Sequence, residues 1–153
     1  MSRLQGGARL TLPPLRAAVF DMDGTLVDNM RFHALAWVEL VRELGVEGPT
    51  LETFERDFAG RKNAEILRDL LGPTVDEREV ARLSERKEVR YRELYAPHLR
   101  AHDGLEPFLD ALARRGVPLA VATAAPPENR RIVLEGLDLG RRGARVIGAE
   151  HAP

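Results

Sequence analysis

The sequence contains no cysteine, so disulfides and thiolate chemistry are excluded and cysteine usage carries no information about compartment. No apolar run approaches the ~20 residues that a membrane-crossing helix needs, so no membrane is expected as a partner. The opening residues Met1 to Gly7 lack the apolar stretch of a secretory signal, which makes the cytoplasm the expected location. Neither sign of charge is in excess: 23 basic and 24 acidic residues give a formal net charge of −1 and a pI near 6.4. Such a chain has no global attraction for nucleic acid or an anionic surface, and nucleic acid is not expected as a partner. Lysine is scarce, Lys62 and Lys87 being the only two, and repeats and low-complexity segments are missing. What is present is 153 residues of ordinary globular composition, 44% hydrophobic and 31% charged. That length fits one domain, or a small core carrying an insertion.

The stretch from Ala17 to Asp28 organises the rest. Ala17, Ala18, Val19 and Phe20 are apolar without a break, which predicts a short strand buried on both faces, as in parallel sheets. Asp21 and Asp23 follow at once. Alternation along an extended chain sends both carboxylates in one direction, and Gly24 permits the sharp turn that leaves them at the strand's carboxyl end. That is where open α/β sheets place ligands. Carboxylates this close repel unless a cation, a hydrogen bond or a shared proton offsets the cost, so the pair asks for a metal ion. The alternative is an Asp-rich turn that only caps the next helix.

Residues 1 to 15 form a polar, Gly-containing lead that includes Pro13-Pro14 and is expected to be mobile. Asp28 or Asn29 can cap a helix from Met30 to Leu44, closed by Gly45, with His33, Trp37, Leu40, Val41 and Leu44 on one face. Thr50 to Phe58 and Asn63 to Leu71 predict two more helices, and Gly72-Pro73 stops the second. Thr74 and Glu77 make a capping box for a long fourth helix ending near Tyr95. On it Val80, Leu83, Lys87, Tyr91 and Leu94 share a face, so Lys87 interrupts an apolar stripe. Four helices with no strand between them exceed a simple βαβ crossover and predict an inserted helical layer. After Pro97 the alternation of helix and strand resumes. Gly104 to Arg115 is an amphipathic helix through Leu105, Phe108, Leu109 and Leu112, and Val117 to Ala122 a second buried strand. Pro126-Pro127 opens another helix ended by Gly136, and Arg145 to Gly148 is a short third strand. Parallel strands joined by right-handed crossovers are the natural assembly. Thr123 ends the second strand just before small residues and a helix start. There its hydroxyl and the adjacent amides can bind phosphate, although a lone Thr at a strand end also reads as a helix cap.

Asp21-Met22-Asp23-Gly24-Thr25 after an apolar strand resembles motif I of the haloacid dehalogenase-like superfamily, and Thr123-Ala124 after a helical insertion resembles its motif II. The resemblance runs from Arg16 onward, over nearly the whole chain but only the first part of the family fold. It implies an α/β protein with a partial Rossmann-like parallel-sheet core over 16–29 and 98–153 and an inserted four-helix cap over 30–97. It also implies Mg²⁺-dependent hydrolysis of a small phosphorylated metabolite. Asp21 becomes the nucleophile that forms an aspartyl-phosphate, and Asp23 the general acid and base. Both help to hold Mg²⁺, while Thr123 and the Ala124 amide bind the phosphoryl group. Asp28, His33, Ala36-Trp37, Phe58-Ala59-Gly60, Glu85-Arg86-Lys87 and Thr123 through Asn129 narrow the likeness to β-phosphoglucomutase and related helical-cap phosphatases. There a His at the His33 position lies in the hinge near the acid/base, and a Lys at the Lys87 position contacts the substrate's distal group. From residues alone, His33 reads equally as a half-buried neighbour of Trp37, and Lys87 as a lysine snorkelling to water.

Departures sharpen the expectation. Asn63 stands where the mutase carries an Arg for a distal phosphate, which favours a phosphatase unless Arg61 or Lys62 substitutes. Ala125 replaces a hydroxyl common after motif II. Asn63 and Asn129 then become candidate neutral contacts to substrate, Asn63 equally a helix cap. Nothing between Val146 and Pro153 matches the motif III Lys or the motif IV acidic pair, and Glu150 alone is a poor replacement. The resemblance therefore implies a shortened chain with impaired catalysis. It also implies an open sheet edge at Val19 and Phe20, for a second copy or another polypeptide to cover. The competing expectations are a β-phosphoglucomutase-like sugar phosphomutase and a non-catalytic phosphate-binding or assembly fragment.

Overall fold

The computed structural model describes residues 14–48, 50–58 and 60–151, so most of the expected mobile lead, and Ala59, lie outside the described residues. The chain order is β1 (Ala18–Phe20), α1 (Met30–Leu44), α2 (Leu51–Asp57), α3 (Asn63–Leu71), α4 (Glu77–Tyr95), α5 (Leu105–Arg114), β2 (Leu119–Thr123), α6 (Pro127–Gly136) and β3 (Arg145–Gly148). Short 3₁₀ turns follow α4 and β3.

The strands form a parallel sheet in the order β1-β2-β3, with Phe20 opposite Val121 and Thr123 opposite Gly148. This register brings the residues just beyond β1 level with the end of β2. The sheet and its flanking helices give an α/β fold. Along β2 the side chains alternate, Leu119, Val121 and Thr123 being buried. The expectation that β1 is buried on both faces does not hold: Val19 is 63% exposed. The reason is position. Among the described residues β1 pairs only with β2 and is an edge strand, as expected from the family resemblance. Phe108, expected on the apolar face of α5, is half exposed and meets Phe20 edge-on at 6.1 Å.

Two apolar clusters hold the molecule. One joins Met22, Leu26, Val27, Tyr91 and Tyr95 to Leu105, Leu109, Val121 and Val133 around the sheet. The other lies among α1 to α4 and contains Trp37, Leu40, Phe54, Ile66, Leu67, Val80 and Leu83. Helix α4 contributes to both, so its Lys87–Tyr91 stretch sits where the clusters meet. The expected Thr74 and Glu77 capping box is replaced by Asp76, whose carboxylate accepts from the Arg78 amide at 3.1 Å. Thr50 caps α2 by accepting from the Thr53 amide. No described helix is long and apolar enough to cross a membrane.

Candidate active site

The chain leaves β1 at Asp21 and turns sharply. Gly24 takes a φ of +71°, a conformation that side-chain-bearing residues rarely adopt, and a Cβ there would stand 3.2 Å from Met30 Cγ. The amides of Thr25 and Leu26 close the turn on the Met22 carbonyl. One oxygen of Asp21 accepts from the Met22 amide at 2.7 Å. Asp23 is anchored differently: its Oδ1 accepts from Asn29 Nδ2 at 2.5 Å. Burial pushes the Asp23 carboxyl above its ordinary range; the Asn29 bond works against that rise, and the neighbouring Asp21 charge adds to it.

Asn29 occupies the position before α1 but makes no side-chain cap there, contrary to one reading of the sequence. It is fully buried. Its amide also donates to the Tyr91 hydroxyl at 2.7 Å, and its carbonyl oxygen accepts from the Gly24 amide at 3.1 Å. The site thus recruits the residue for its own polar bonds.

Across the sheet, Thr123 is nearly buried at the end of β2, and its Oγ1 accepts from the Ala125 amide at 3.1 Å. Pro127 then opens α6, where a missing N–H leaves no bond unmade.

The helical layer brings its polar residues to the same place. His33 stacks on Tyr91 with centroids 3.7 Å apart and planes 7° off parallel. Lys87 does not snorkel: its side chain is 3% exposed. Its Nζ lies 2.8 Å from His33 Nδ1 and 2.9 Å from Glu88 Oε1, above the faces of Trp37 and Tyr91. Burial pulls the Lys87 ammonium down, and the Glu88 charge resists. Burial alone would raise the Glu88 carboxyl, but Lys87 and the amide of Asn63 outweigh it and hold it low. His33 is driven to about 3, first by burial and then by the Lys87 charge.

Asn63 is the first residue of α3, not its cap, and its Nδ2 donates to Glu88 Oε1 at 2.7 Å. Asn129, 1% exposed on α6, donates to Glu88 Oε2 at 2.7 Å and accepts from Arg92 at 2.9 Å. All eight residues singled out from the sequence (Asp21, Asp23, His33, Asn63, Lys87, Thr123, Ala124 and Asn129) line one cavity of about 520 Å³. Sequence reasoning missed Glu88, which lines the same cavity, and Asn29 and Arg92, which orient its walls. The available signal was Lys87 itself, because a lysine inside an apolar stripe needs a counter-charge nearby.

Among the described residues no three His, Cys, Asp or Glu side chains converge into a metal cage. The donors past β1 are carboxylate and carbonyl oxygens. These suit Mg²⁺, which keeps several waters when a protein offers only one or two carboxylates.

A parallel sheet with paired carboxylates beyond one strand, a hydroxyl ending the next and a helical layer facing them defines a class of hydrolase. The sequence profile of the haloacid dehalogenase-like hydrolase family matches residues 15–151, and the chain belongs to that family. It is similar to the chloroplastic 5-amino-6-(5-phospho-D-ribitylamino)uracil phosphatase of Arabidopsis thaliana, at 25% identity over 87% of this chain and 36% of that one. It is also similar to the N-acetylmuramic acid 6-phosphate phosphatase of Pseudomonas aeruginosa, at 27% identity over 90% of this chain and 60% of that one. The fold matches the crystal structure of a family IA, variant 3 hydrolase of the same class from Entamoeba histolytica with a TM-score of 0.77, at 20% identity, covering 91% of this chain and 63% of that one. The chain thus spans 36 to 60% of the length of these curated relatives.

Proposed function

We propose that the protein carrying this chain is a Mg²⁺-dependent phosphatase that hydrolyses a monoester of a small phosphorylated metabolite through an aspartyl-phosphate on Asp21. The observation that carries this reading is the convergence of Asp21, Asp23 and Thr123 on one cavity roofed by Lys87 and two asparagines. Both curated relatives named above are phosphatases of small phosphorylated compounds, which supports the substrate class.

Asp21 is exposed to the cavity and attacks phosphorus, with the Met22 amide fixing one of its oxygens. Asp23, its carboxyl raised by burial, stands beside Asp21 as the group to give the leaving oxygen its proton. In the second half-reaction Asp23 takes a proton from the water that hydrolyses the acyl phosphate. Thr123 Oγ1 and the Ala124 amide hold phosphoryl oxygens at the end of β2, ahead of α6. The Asp21 carboxylate and the Asp23 carbonyl would hold Mg²⁺, which when bound supplies neutralising charge to the phosphoryl group. Helices α1 to α4 serve as the cap, with His33 beside its hinge. The mutase reading is disfavoured by Arg61, whose guanidinium pairs with Asp69 at 2.6 Å and stacks on Phe58.

The test is inorganic phosphate release from a panel of small phosphate esters, with Mg²⁺ and with a chelator. Release should require Mg²⁺ and fall by about a thousandfold or more in Asp21→Asn, as expected for loss of a covalent nucleophile. Undiminished release by Asp21→Asn would overturn the reading. Isomerisation of a hexose 1-phosphate in place of phosphate release would install the mutase.

A further inference from the structure

The wall that α4 gives the cavity is charged but neutral in sum. Lys87 and Glu88 are both almost wholly buried, at 3% and 7% side-chain exposure, and both line the cavity. Two of the three Lys87 donors point at Glu88 and His33. Glu88 Oε1 accepts from Lys87 and Asn63, and Oε2 accepts from Asn129. A carboxylate offers about four acceptor sites, so one remains on Oε2.

We propose that Glu88 determines specificity in this cavity: by neutralising Lys87 it selects phosphate esters with an uncharged, hydroxyl-bearing leaving group and rejects esters with a second anionic group. The inference rests on the phosphatase reading for where the phosphoryl group sits. An unpaired buried ammonium in such a wall would receive a distal phosphate or carboxylate. With Glu88 beside it, the same anion meets a desolvated carboxylate, and like charges brought together without water are strongly disfavoured. A hydroxyl meets no such barrier, since it can donate to Glu88 Oε2 or to the carbonyl oxygen of Asn63 and accept from Lys87.

The other cations near the cavity do not change this balance. Arg61 is paired with Asp69, and Lys62 is solvent-exposed, where salt screens it. Stability does not account for the pair either, because a buried ion pair is worth little more than apolar residues of equal volume.

The experiment is calorimetric titration of the full chain as Asp21→Asn with Mg²⁺, so that ligand is held without turnover. The probes are matched pairs: fructose 6-phosphate against fructose 1,6-bisphosphate, and glycerol 3-phosphate against 3-phosphoglycerate. The less charged member of each pair should bind about tenfold or more tightly than its partner, a difference well within titration range. Adding Glu88→Gln should tighten the more charged member by about tenfold, whereas Lys87→Met with Glu88→Gln should not, since no cation is then uncovered. Equal or tighter binding of the more charged members, no binding of either, or the same gain in the double variant would each overturn the proposal. The preference in Asp21→Asn alone decides the matter if Glu88→Gln fails to fold. Phosphate release by the unsubstituted chain is scored separately. Release without discrimination in binding sinks only the role of Glu88, and selective binding with release undiminished in Asp21→Asn sinks only the aspartyl-phosphate reading.

Discussion

The Lys87 ammonium lies 2.8 Å from Nδ1 of His33. An ammonium has only donors, so Nδ1 must accept and the imidazole is neutral with its proton on Nε2. The stacked Tyr91 ring fixes the plane of that imidazole. His33 thus joins α1 to α4 as a neutral base held against a cation.

Acid should therefore weaken the fold. Burial and Lys87 depress His33 from 6.5 to about 3 in the folded chain. Between those values the unfolded state binds a proton that the folded state refuses, so stability is intact above pH 6.5 and falls as pH drops through the window. The depressed Glu88 carboxyl adds a loss in the same direction at lower pH. Each tenfold difference in proton affinity between the folded and unfolded chain is worth about 1.4 kcal/mol, so on going from about pH 7.5 to about pH 5 we expect His33 to withdraw on the order of 1–2 kcal/mol. Urea midpoints at the two pH values measure it. His33→Gln should flatten the dependence, and an unchanged slope would refute the assignment.

Asn29→Ala should be among the most damaging small substitutions. The side chain is fully buried and serves Asp23, Tyr91 and the Gly24 amide at once. Truncation leaves the Tyr91 hydroxyl and Asp23 Oδ1 without these bonds, while the Gly24 amide keeps the Val27 carbonyl, at about 1–3 kcal/mol for each group left unsatisfied. We expect a total of about 3 kcal/mol in chemical denaturation. A loss under about 0.5 kcal/mol would show that water replaces the amide.

Much of this fold is legible in the sequence because local rules and tertiary packing agree. The periodicity of α1, the apolar run of β2 and the Gly45 stop each dictate what the structure contains. Legibility fails where a side chain answers a distant partner. Asn29 has the chemistry of a cap but bonds Tyr91, which lies 62 residues away. Asn63 has the same capping chemistry and instead serves Glu88. Glu88 is hidden because a Glu near the charged Glu85, Arg86 and Arg90 on α4 reads as solvated surface; Lys87 in the apolar stripe hints at a counter-charge, and the folded positions of Asn63 and Asn129 show that Glu88 is it. Val19 escapes for a different reason: an apolar run does not reveal which strand lies at a sheet edge.

That last distinction has a measurable consequence. Val121 is fully buried in the middle strand, whereas Val19 is 63% exposed. Val121→Ala removes two buried methyl groups and should cost about 2 kcal/mol including the cavity left behind. Val19→Thr keeps the branched shape that suits a strand and should stay within about 0.5 kcal/mol. Thermal or urea unfolding of the pair checks the contrast, and a Val19→Thr cost approaching that of Val121→Ala would place Val19 against a covering surface.

Asn129 offers a sharper probe, because its two ends face opposite charges. Its Nδ2 donates to Glu88 Oε2 and its Oδ1 accepts from Arg92, which fixes the orientation of the amide. Asn129→Ala loses both bonds. Asn129→Asp keeps the shape and the contact with Arg92, but it turns the 2.7 Å donor into a second carboxylate against Glu88. In a buried setting that repulsion outweighs the retained contact, so the near-isosteric change should cost more than truncation, roughly 3 kcal/mol or above at about pH 7.5. Two carboxylates that close raise each other's affinity for a proton. The excess cost of Asn129→Asp over Asn129→Ala should therefore shrink at about pH 5, even as both variants lose the stability that His33 withdraws. An excess that is absent near neutral pH, or that does not shrink on acidification, would mean that Glu88 and Asn129 are not in direct contact in solution.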